Sequence, residues 1–245
     1  TTTTASPPPP TSTTTSKTTT THQQVEEDKE ECSICLDLLP TNPSKFARAT
    51  CCGKGMHNKC REDMIASKMS QEQKRRCVMC RTEYPDDSKE GNKEQVKRLR
   101  KWVKKGRAWA QSMLGRRYAN GDGVKKDEKR AVVLFNLASE QGDANAQYSL
   151  GNMYNEGRGA DKDEKRAVKF YTLAADQGYT KAQYNLGNMY RDGRGVDKDE
   201  KRAVELFTLA AKQGNANAQY NLGAMYANGQ GLDESLSNAR EWLTK

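Results

Sequence analysis

Apolar residues recur at helical spacing through the second half of the chain. Ala146, Leu150, Met153 and Tyr154 stand at positions i, i+4, i+7 and i+8, which places them on one face of an α-helix. The tripeptide "GRG" follows, and glycine ends helices because it adopts positive φ at little cost. The pattern therefore predicts an amphipathic helix that stops at this turn.

A second helix is predicted directly after the turn. Asp163 stands where an N-cap residue starts a helix, and Asp127 and Asp199 occupy the corresponding places in the neighbouring segments. Gly178 closes the predicted helix. Its buried face is expected to consist of Ala167, Phe170, Tyr171 and Ala174.

This two-helix unit repeats with a period of 36 residues. "AQYSLGNMYNEGRGADKDEKRAVKFYTLAADQG" (146–178) returns as "AQYNLGNMYRDGRGVDKDEKRAVELFTLAAKQG" (182–214). Gly151 lies inside a helix, where glycine costs about 1 kcal/mol relative to alanine, so its recurrence predicts close contact with the partner helix. One helix pair cannot bury its apolar face alone. The sequence therefore predicts an all-α solenoid of stacked helix pairs.

The repeating pattern A-x-x-x-L-G-x-x-Y-x-x-G-x-G-V…D-x-x-x-A…A-A-x-x-G resembles the SEL-one-like repeat, a relative of the tetratricopeptide repeat. Four copies cover residues 110–245, and the fourth is incomplete, with Trp242 where Leu206 stood one period earlier. The resemblance implies a scaffold that carries no chemistry and binds a protein substrate or an adaptor on a concave surface.

Two segments outside the repeats differ in composition. Residues 1–31 are rich in Thr and Pro and end in "EEDKEE", so they offer little apolar surface to bury and are expected to be a disordered tail. Residues 82–109 form a basic linker that we expect to be helical. Its inward-facing residues would be Val96, Leu99, Trp102 and Val103. Contact of this segment with nucleic acid phosphates, or a role in nuclear import, is an alternative that the helix does not exclude.

Composition narrows the class of protein. There are 41 basic and 32 acidic residues, and no apolar run approaches the roughly 18 residues of a membrane-spanning helix. No signal-like segment is visible after Thr1. We therefore expect no membrane span and an intracellular protein, cytoplasmic or nuclear.

Candidate chemistry is confined to residues 32–81, which contain all seven cysteines. An odd number of cysteines in one short segment argues against a secreted disulfide framework. With His57 they supply eight ligands, which suffice for two tetrahedral Zn²⁺ ions. A segment of about fifty residues is too small to fold on apolar burial alone, so we expect both ions to be structural. The expected ligands are Cys32, Cys35, Cys51, Cys52, His57, Cys60, Cys77 and Cys80.

The flanking sequences "ECSICLDLL" and "CVMCRTEY" resemble the two ends of a RING finger. That family has a small cross-brace fold in which the ligand pairs interleave. The resemblance therefore implies one ion held by Cys32, Cys35, His57 and Cys60. It implies a second ion held by Cys51, Cys52, Cys77 and Cys80.

Two alternatives to this ligand set and family remain open. Many RING fingers carry Cys-x-His at the third and fourth ligand positions, which would put Lys54 in the histidine place and leave Cys51 out of the site. Lysine is a poor zinc ligand, so the adjacent cysteines are preferred. PHD fingers also place histidine fifth, but they usually carry Trp two residues before the seventh ligand, and Arg75 stands there.

The RING resemblance implies a ubiquitin ligase that binds a ubiquitin-charged conjugating enzyme and promotes direct transfer to a substrate lysine. Ile34, Val78 and Met79 would contact the conjugating enzyme, and Arg81 would bridge it to ubiquitin without acting as a nucleophile. Two other functions fit the same residues. One is a non-catalytic scaffold of zinc finger and repeats, and the other is a PHD-like chromatin reader.

Overall fold

The computed structural model describes residues 46–48, 55–57, 66, 77, 88–231 and 242. Strands β1 (Phe46–Arg48) and β2 (Gly55–His57) pair antiparallel, with Ala47 opposite Met56. Eight helices follow within residues 88–231. They are α1 (Lys89–Val103), α2 (Ala108–Asn120), α3 (Glu128–Glu140), α4 (Ala144–Glu156), α5 (Glu164–Asp176), α6 (Thr180–Asp192), α7 (Glu200–Lys212) and α8 (Ala216–Ala227).

The helices stack in chain order. Helices α2 and α3, α4 and α5, and α6 and α7 form close pairs, and each pair packs on the next. Helix α8 packs on α7, and α1 packs on α2. We call α2, α4, α6 and α8 the A helices and α3, α5 and α7 the B helices. The predicted α-solenoid of helix pairs is confirmed over these residues.

Side-chain caps start the B helices where the sequence predicted them. The carboxylates of Asp127, Asp163 and Asp199 each accept a hydrogen bond from the backbone N–H three residues on, at 2.9 Å. Each cap thus satisfies one of the backbone donors that a helix N-terminus leaves unpaired. At the other end, Gly178 has φ of 78° and follows α5.

The apolar faces predicted from the periodicity form the core. Leu150 and Tyr154 of α4 are buried, as are Ala167 and Tyr171 of α5. Phe170 was expected to be buried as well, but it is only half-buried. Its ring stacks on the Tyr154 ring at a centroid distance of 5.6 Å, so one face is covered while the residue lies at the edge of the pair.

Glycine in the A helices permits the closest approach between paired helices. A Cβ on Gly151 would lie 2.5 Å from the Tyr171 ring, and one on Gly115 or Gly187 would lie 2.9 or 2.8 Å from a phenylalanine ring. No real Cβ sits this close to a carbon atom, so each ring occupies the space that a side chain would need. The close contact predicted from the recurrence of Gly151 is confirmed.

Helix α1 occupies the place of a B helix in front of the first A helix. The turn glycine Gly159 lies against the backbone of Glu128, the first residue of α3, and Gly123 lies against the backbone of Asn92 in the same manner. Val96 is buried against the core of the stack, and Leu99 is fully buried. The helix expected within residues 82–109 therefore covers one end of the solenoid.

Substitution Gly151→Ala should destabilise the chain, although alanine is the better helix former by about 1 kcal/mol. The Tyr171 ring cannot move aside freely, because it is 2% exposed and its hydroxyl is hydrogen-bonded to Asn152. We expect a loss of roughly 1–3 kcal/mol, measured by denaturant unfolding. Lys169→Ala, on the exposed side of α5, is the control and should change little. Equal stability of Gly151→Ala and wild type would show that the ring contact does not limit helix approach.

Candidate functional site

The predicted zinc ligands fall largely outside the described residues. His57 is the last residue of β2, with its backbone opposite Phe46, and Cys77 is fully buried. The two-zinc site therefore stays a prediction. The residues outside the described part are Cys32, Cys35, Cys51, Cys52, Cys60 and Cys80, together with Ile34, Val78, Met79 and Arg81.

A surface rich in tyrosine and asparagine runs along the A helices. Its residues lie at equivalent positions of successive repeats and are half-buried or exposed, outside the core that the helix pairs share. Tyr220, in the last A helix, is 66% exposed. We call this surface the A-helix face. It comprises Arg116, Asn145, Tyr148, Asn152, Tyr184, Asn185, Asn188, Tyr220 and Asn221.

Three tyrosine rings meet where two repeats join. The centroid of the Tyr148 ring lies 5.1 Å from that of Tyr179 and 6.1 Å from that of Tyr171, both in tilted arrangements. The Tyr179 hydroxyl donates to Asn145 Oδ1 at 3.0 Å. Burial raises the pKa of Tyr179, so the phenol stays neutral and keeps its donor. The junction is therefore a rigid aromatic surface with fixed polar atoms.

Asparagine side chains connect successive A helices. Asn152 Oδ1 accepts from the Tyr171 hydroxyl at 2.7 Å and from Asn185 Nδ2 at 3.3 Å. One repeat further on, Asn221 Nδ2 donates to Asn188 Oδ1 at 3.2 Å. A side-chain amide has two N–H donors and an acceptor, so each donating amide retains one N–H for another group. Such amides are suited to hydrogen bonding with a peptide backbone.

Asp143 caps α4 in a half-buried position beside this face. Its carboxylate accepts from the Ala146 N–H at 2.8 Å. Burial raises the pKa of Asp143 above its ordinary value of 3.8, and hydrogen bonds from Ala146 and Ser112 and the charge of Arg116 oppose this only in part. In the fourth repeat the equivalent cap is Asn215, which accepts from the Ala218 N–H at 2.9 Å without a charge.

Buried glutamines inside each repeat were not predicted from the sequence. Gln177 Nε2 donates to Gln147 Oε1 at 2.7 Å, and equivalent bonds join Gln141 to Gln111 and Gln213 to Gln183. A buried amide needs such a partner, because an unsatisfied one costs about 1–3 kcal/mol. The available signal was the recurrence of "AQ" and "QG" at the 36-residue period.

Stacked helix pairs of this geometry define an α-solenoid of the helix-repeat class. A sequence model of the Sel1 repeat matches residues 110–143, 144–179, 180–215 and 216–245, which together make up more than half of the 245 residues. The chain therefore belongs to the Sel1 repeat family, as the SEL-one-like pattern predicted. Repeats of this family are scaffolds that generally bind protein partners.

Two solved structures resemble the chain at more than 30% identity. A protective antigen of uropathogenic Escherichia coli with an SLR fold is 34% identical, with a TM-score of 0.61 over 62% of this chain and 32% of its own. A Sel1 repeat protein from Oxalobacter formigenes is 33% identical, with a TM-score of 0.58 over 61% of this chain and 60% of its own. The chain thus spans about a third of the length of the first protein and about three fifths of the length of the second. The search among curated proteins gives no match.

These comparisons match the repeats and give no support to a RING finger or a ubiquitin ligase. In the described residues, no helix is both long and apolar enough to cross a membrane. The described part of the chain holds no cluster of three or more His, Cys, Asp or Glu side chains, and most of the predicted ligands lie outside it.

Asp143→Asn should keep the cap and remove the charge of this half-buried carboxylate. Because the pKa of Asp143 is raised on folding, its contribution to stability is greatest below pH 3.8 and is lost as the pH rises through the folded-state value. The variant should match wild type in acid and be at least as stable at neutral pH. Thermal unfolding over this pH range checks the expectation.

Asp143→Ala is the control for this substitution. It removes the cap acceptor and should lose about 1 kcal/mol in acid, and less at neutral pH, where wild type carries the unfavourable charge. If Asp143→Asn were as destabilised as Asp143→Ala at neutral pH, the ionised carboxylate itself would be required, and the view that its burial is unfavourable would be wrong.

Proposed function

We propose that this protein is a binding scaffold whose A-helix face receives a segment of a partner protein. The observation that carries the proposal is the tyrosine and asparagine surface that repeats along α4, α6 and α8. Tyrosine is enriched among the residues that dominate binding energy at interfaces, since a rigid ring buries a large area and keeps a polar hydroxyl. The asparagine amides add hydrogen bonds for a peptide backbone.

The outer surface of the B helices is a weaker candidate for the same role. It exposes one leucine per repeat, Leu137, Leu173 and Leu209, at 40–50% of their area. Exposed lysines precede these leucines on the same helices, at Lys129, Lys165 and Lys201. Leucine is under-represented and lysine depleted at the centres of interfaces, so this side is less suited to tight binding.

Site-specific photocrosslinking in cells tests which face binds. Benzoylphenylalanine placed at Tyr220 should give an adduct with a partner protein, whereas the same probe at Leu209, 50% exposed on α7, should not. With the partner identified and purified, Tyr220→Ala should weaken binding about tenfold or more, and Leu209→Ala should leave it unchanged. An adduct from Leu209 alone would assign binding to the B helices.

The cysteine-rich segment favours a second function, a RING-type ubiquitin ligase attached to this scaffold. The support is chemical: seven thiols and one imidazole at CxxC-type spacing match the ligand preferences of Zn²⁺. Cys51 and Cys52 lie between β1 and β2 in sequence, and His57 ends β2. The ions would hold the segment in its fold and take no part in catalysis.

In this second function the chain would only position the conjugating enzyme and its ubiquitin, and would not react with either. Ile34, Val78 and Met79 would give the conjugating enzyme an apolar contact, and the guanidinium of Arg81 would hold ubiquitin by charge-assisted hydrogen bonds. All seven cysteines belong to the proposed ligand set, so none is left to form a thioester. A partner bound on the A-helix face would be the substrate or an adaptor.

Zinc content and ubiquitin discharge test the ligase function on the full chain. We expect two zinc ions per chain, and near one in Cys51→Ser. Wild type should accelerate discharge of ubiquitin from a charged conjugating enzyme to free lysine, and Arg81→Ala should keep its zinc but lose most of this acceleration. Arg107→Ala, a control at an exposed arginine outside the segment, should behave as wild type.

The two functions are separable in these experiments. Absence of acceleration with every conjugating enzyme tested would leave the scaffold function alone. A zinc content of one ion or none would overturn the eight-ligand assignment. Neither the discharge result nor the zinc content would change the interpretation of crosslinks formed at Tyr220.

A further inference from the structure

The solvent side of α1 and its C-cap residue, Lys104, carry a row of lysines. Lys93, Lys97, Lys101 and Lys104 stand at i, i+4, i+8 and i+11, and all four are exposed. This spacing aligns them on one face of the helix over about 17 Å. The opposite side buries Val96 against the solenoid. We call these four lysines the basic stripe.

The carboxylates nearby neutralise little of the basic stripe. Lys93 lies 3.8 Å from Glu90 and Lys97 lies 3.9 Å from Glu94, long contacts between exposed groups. In the described part of the chain, no carboxylate lies within 4 Å of Lys101 or Lys104. Helix α2, on which α1 packs, contains two arginines and no acidic residue.

Positive charge is concentrated in this one element of the chain. Residues 89–107 hold nine basic and two acidic side chains, whereas residues 110–231 hold 18 basic and 15 acidic ones. In the repeats the charges are paired within each turn, as between Lys162 and Glu164 at 3.0 Å and between Lys198 and Glu200 at 2.7 Å. The stripe is therefore a local excess of charge on a surface that is otherwise nearly balanced.

We propose that the basic stripe binds the phosphate backbone of a nucleic acid, a function separate from partner binding on the A-helix face. Lysine contacts phosphate as a point charge and reads no bases. One strand of a duplex presents a phosphate every 3.4 Å along the axis, so a stripe of about 17 Å spans about five phosphates. Binding is then electrostatic and independent of base sequence.

An acidic peptide fits the stripe less well. Protein interfaces depend on buried aromatic or apolar anchors, and charged residues are depleted at their centres. Glu90 and Glu94 border the stripe, and no apolar side chain lies between its lysines on the exposed side of α1. The stripe therefore offers charge without an anchor, which suits a regular polyanion.

Binding of a fluorescein-labelled DNA duplex to the full chain, followed by anisotropy at several salt concentrations, tests the proposal. For wild type we expect a slope of log K against log[salt] of roughly −3 to −5. The triple variant Lys97→Gln, Lys101→Gln, Lys104→Gln should reduce the slope by about 2–3 and lower affinity at low salt at least about tenfold.

A matched control removes the same charge from another surface. Lys129→Gln, Lys165→Gln, Lys201→Gln changes three exposed lysines of the B helices and should keep both slope and affinity. Equal losses in the two triple variants, or no salt-dependent binding by wild type, would overturn the proposal. Displacement of the duplex by polyglutamate at equal charge concentration would also overturn the proposal, since the preferred ligand would then be an acidic peptide.

Discussion

The contact of a helical glycine with an aromatic ring sets the geometry of this solenoid. Gly115, Gly151 and Gly187 leave space that the ring of the paired B helix fills, so the two axes approach more closely than any side chain would permit. Successive residues of a helix point about 100° apart, so the residue after the glycine lies off the contact with the ring. Asn152 follows Gly151 directly, and its Oδ1 accepts a hydrogen bond from the hydroxyl of the same Tyr171 whose ring packs on the glycine.

The repeat fold could be predicted from sequence because each repeat gives the same signal at the same place. Apolar spacing, aspartate caps and the recurrence of Gly151 all indicated one structure, and local signals that agree with one another specify a fold well. Phe170 was predicted to be buried because the periodicity of apolar residues assigns it to the buried face of the helix. Periodicity alone does not distinguish the centre of that face from its edge. The ring of Phe170 lies at the edge.

The polar part of the candidate site was harder to predict. Gln147 and Gln177 are thirty residues apart, and only the helix pairing brings them together. The raised pKa of Asp143 comes from burial of its carboxylate, which no pattern in the sequence indicates. Polar residues at a fixed period are equally consistent with a solvated surface. The cysteine pattern, by contrast, predicts chemistry from residue types alone, and most of its residues lie outside the described part.

The junction between repeats has a consequence for how such a chain can change its length. Gly159 meets the backbone of Glu128, and Gly195 and Gly231 meet the backbones of Glu164 and Glu200. Main chain is the same in every copy, so this part of the junction is preserved between any two units that have glycine at this turn. Duplication or loss of a 36-residue unit in the gene would therefore keep this glycine–backbone contact at each remaining junction. Residues 146–178 and 182–214, which differ at only eight of 33 positions, are what a duplication of this kind leaves behind.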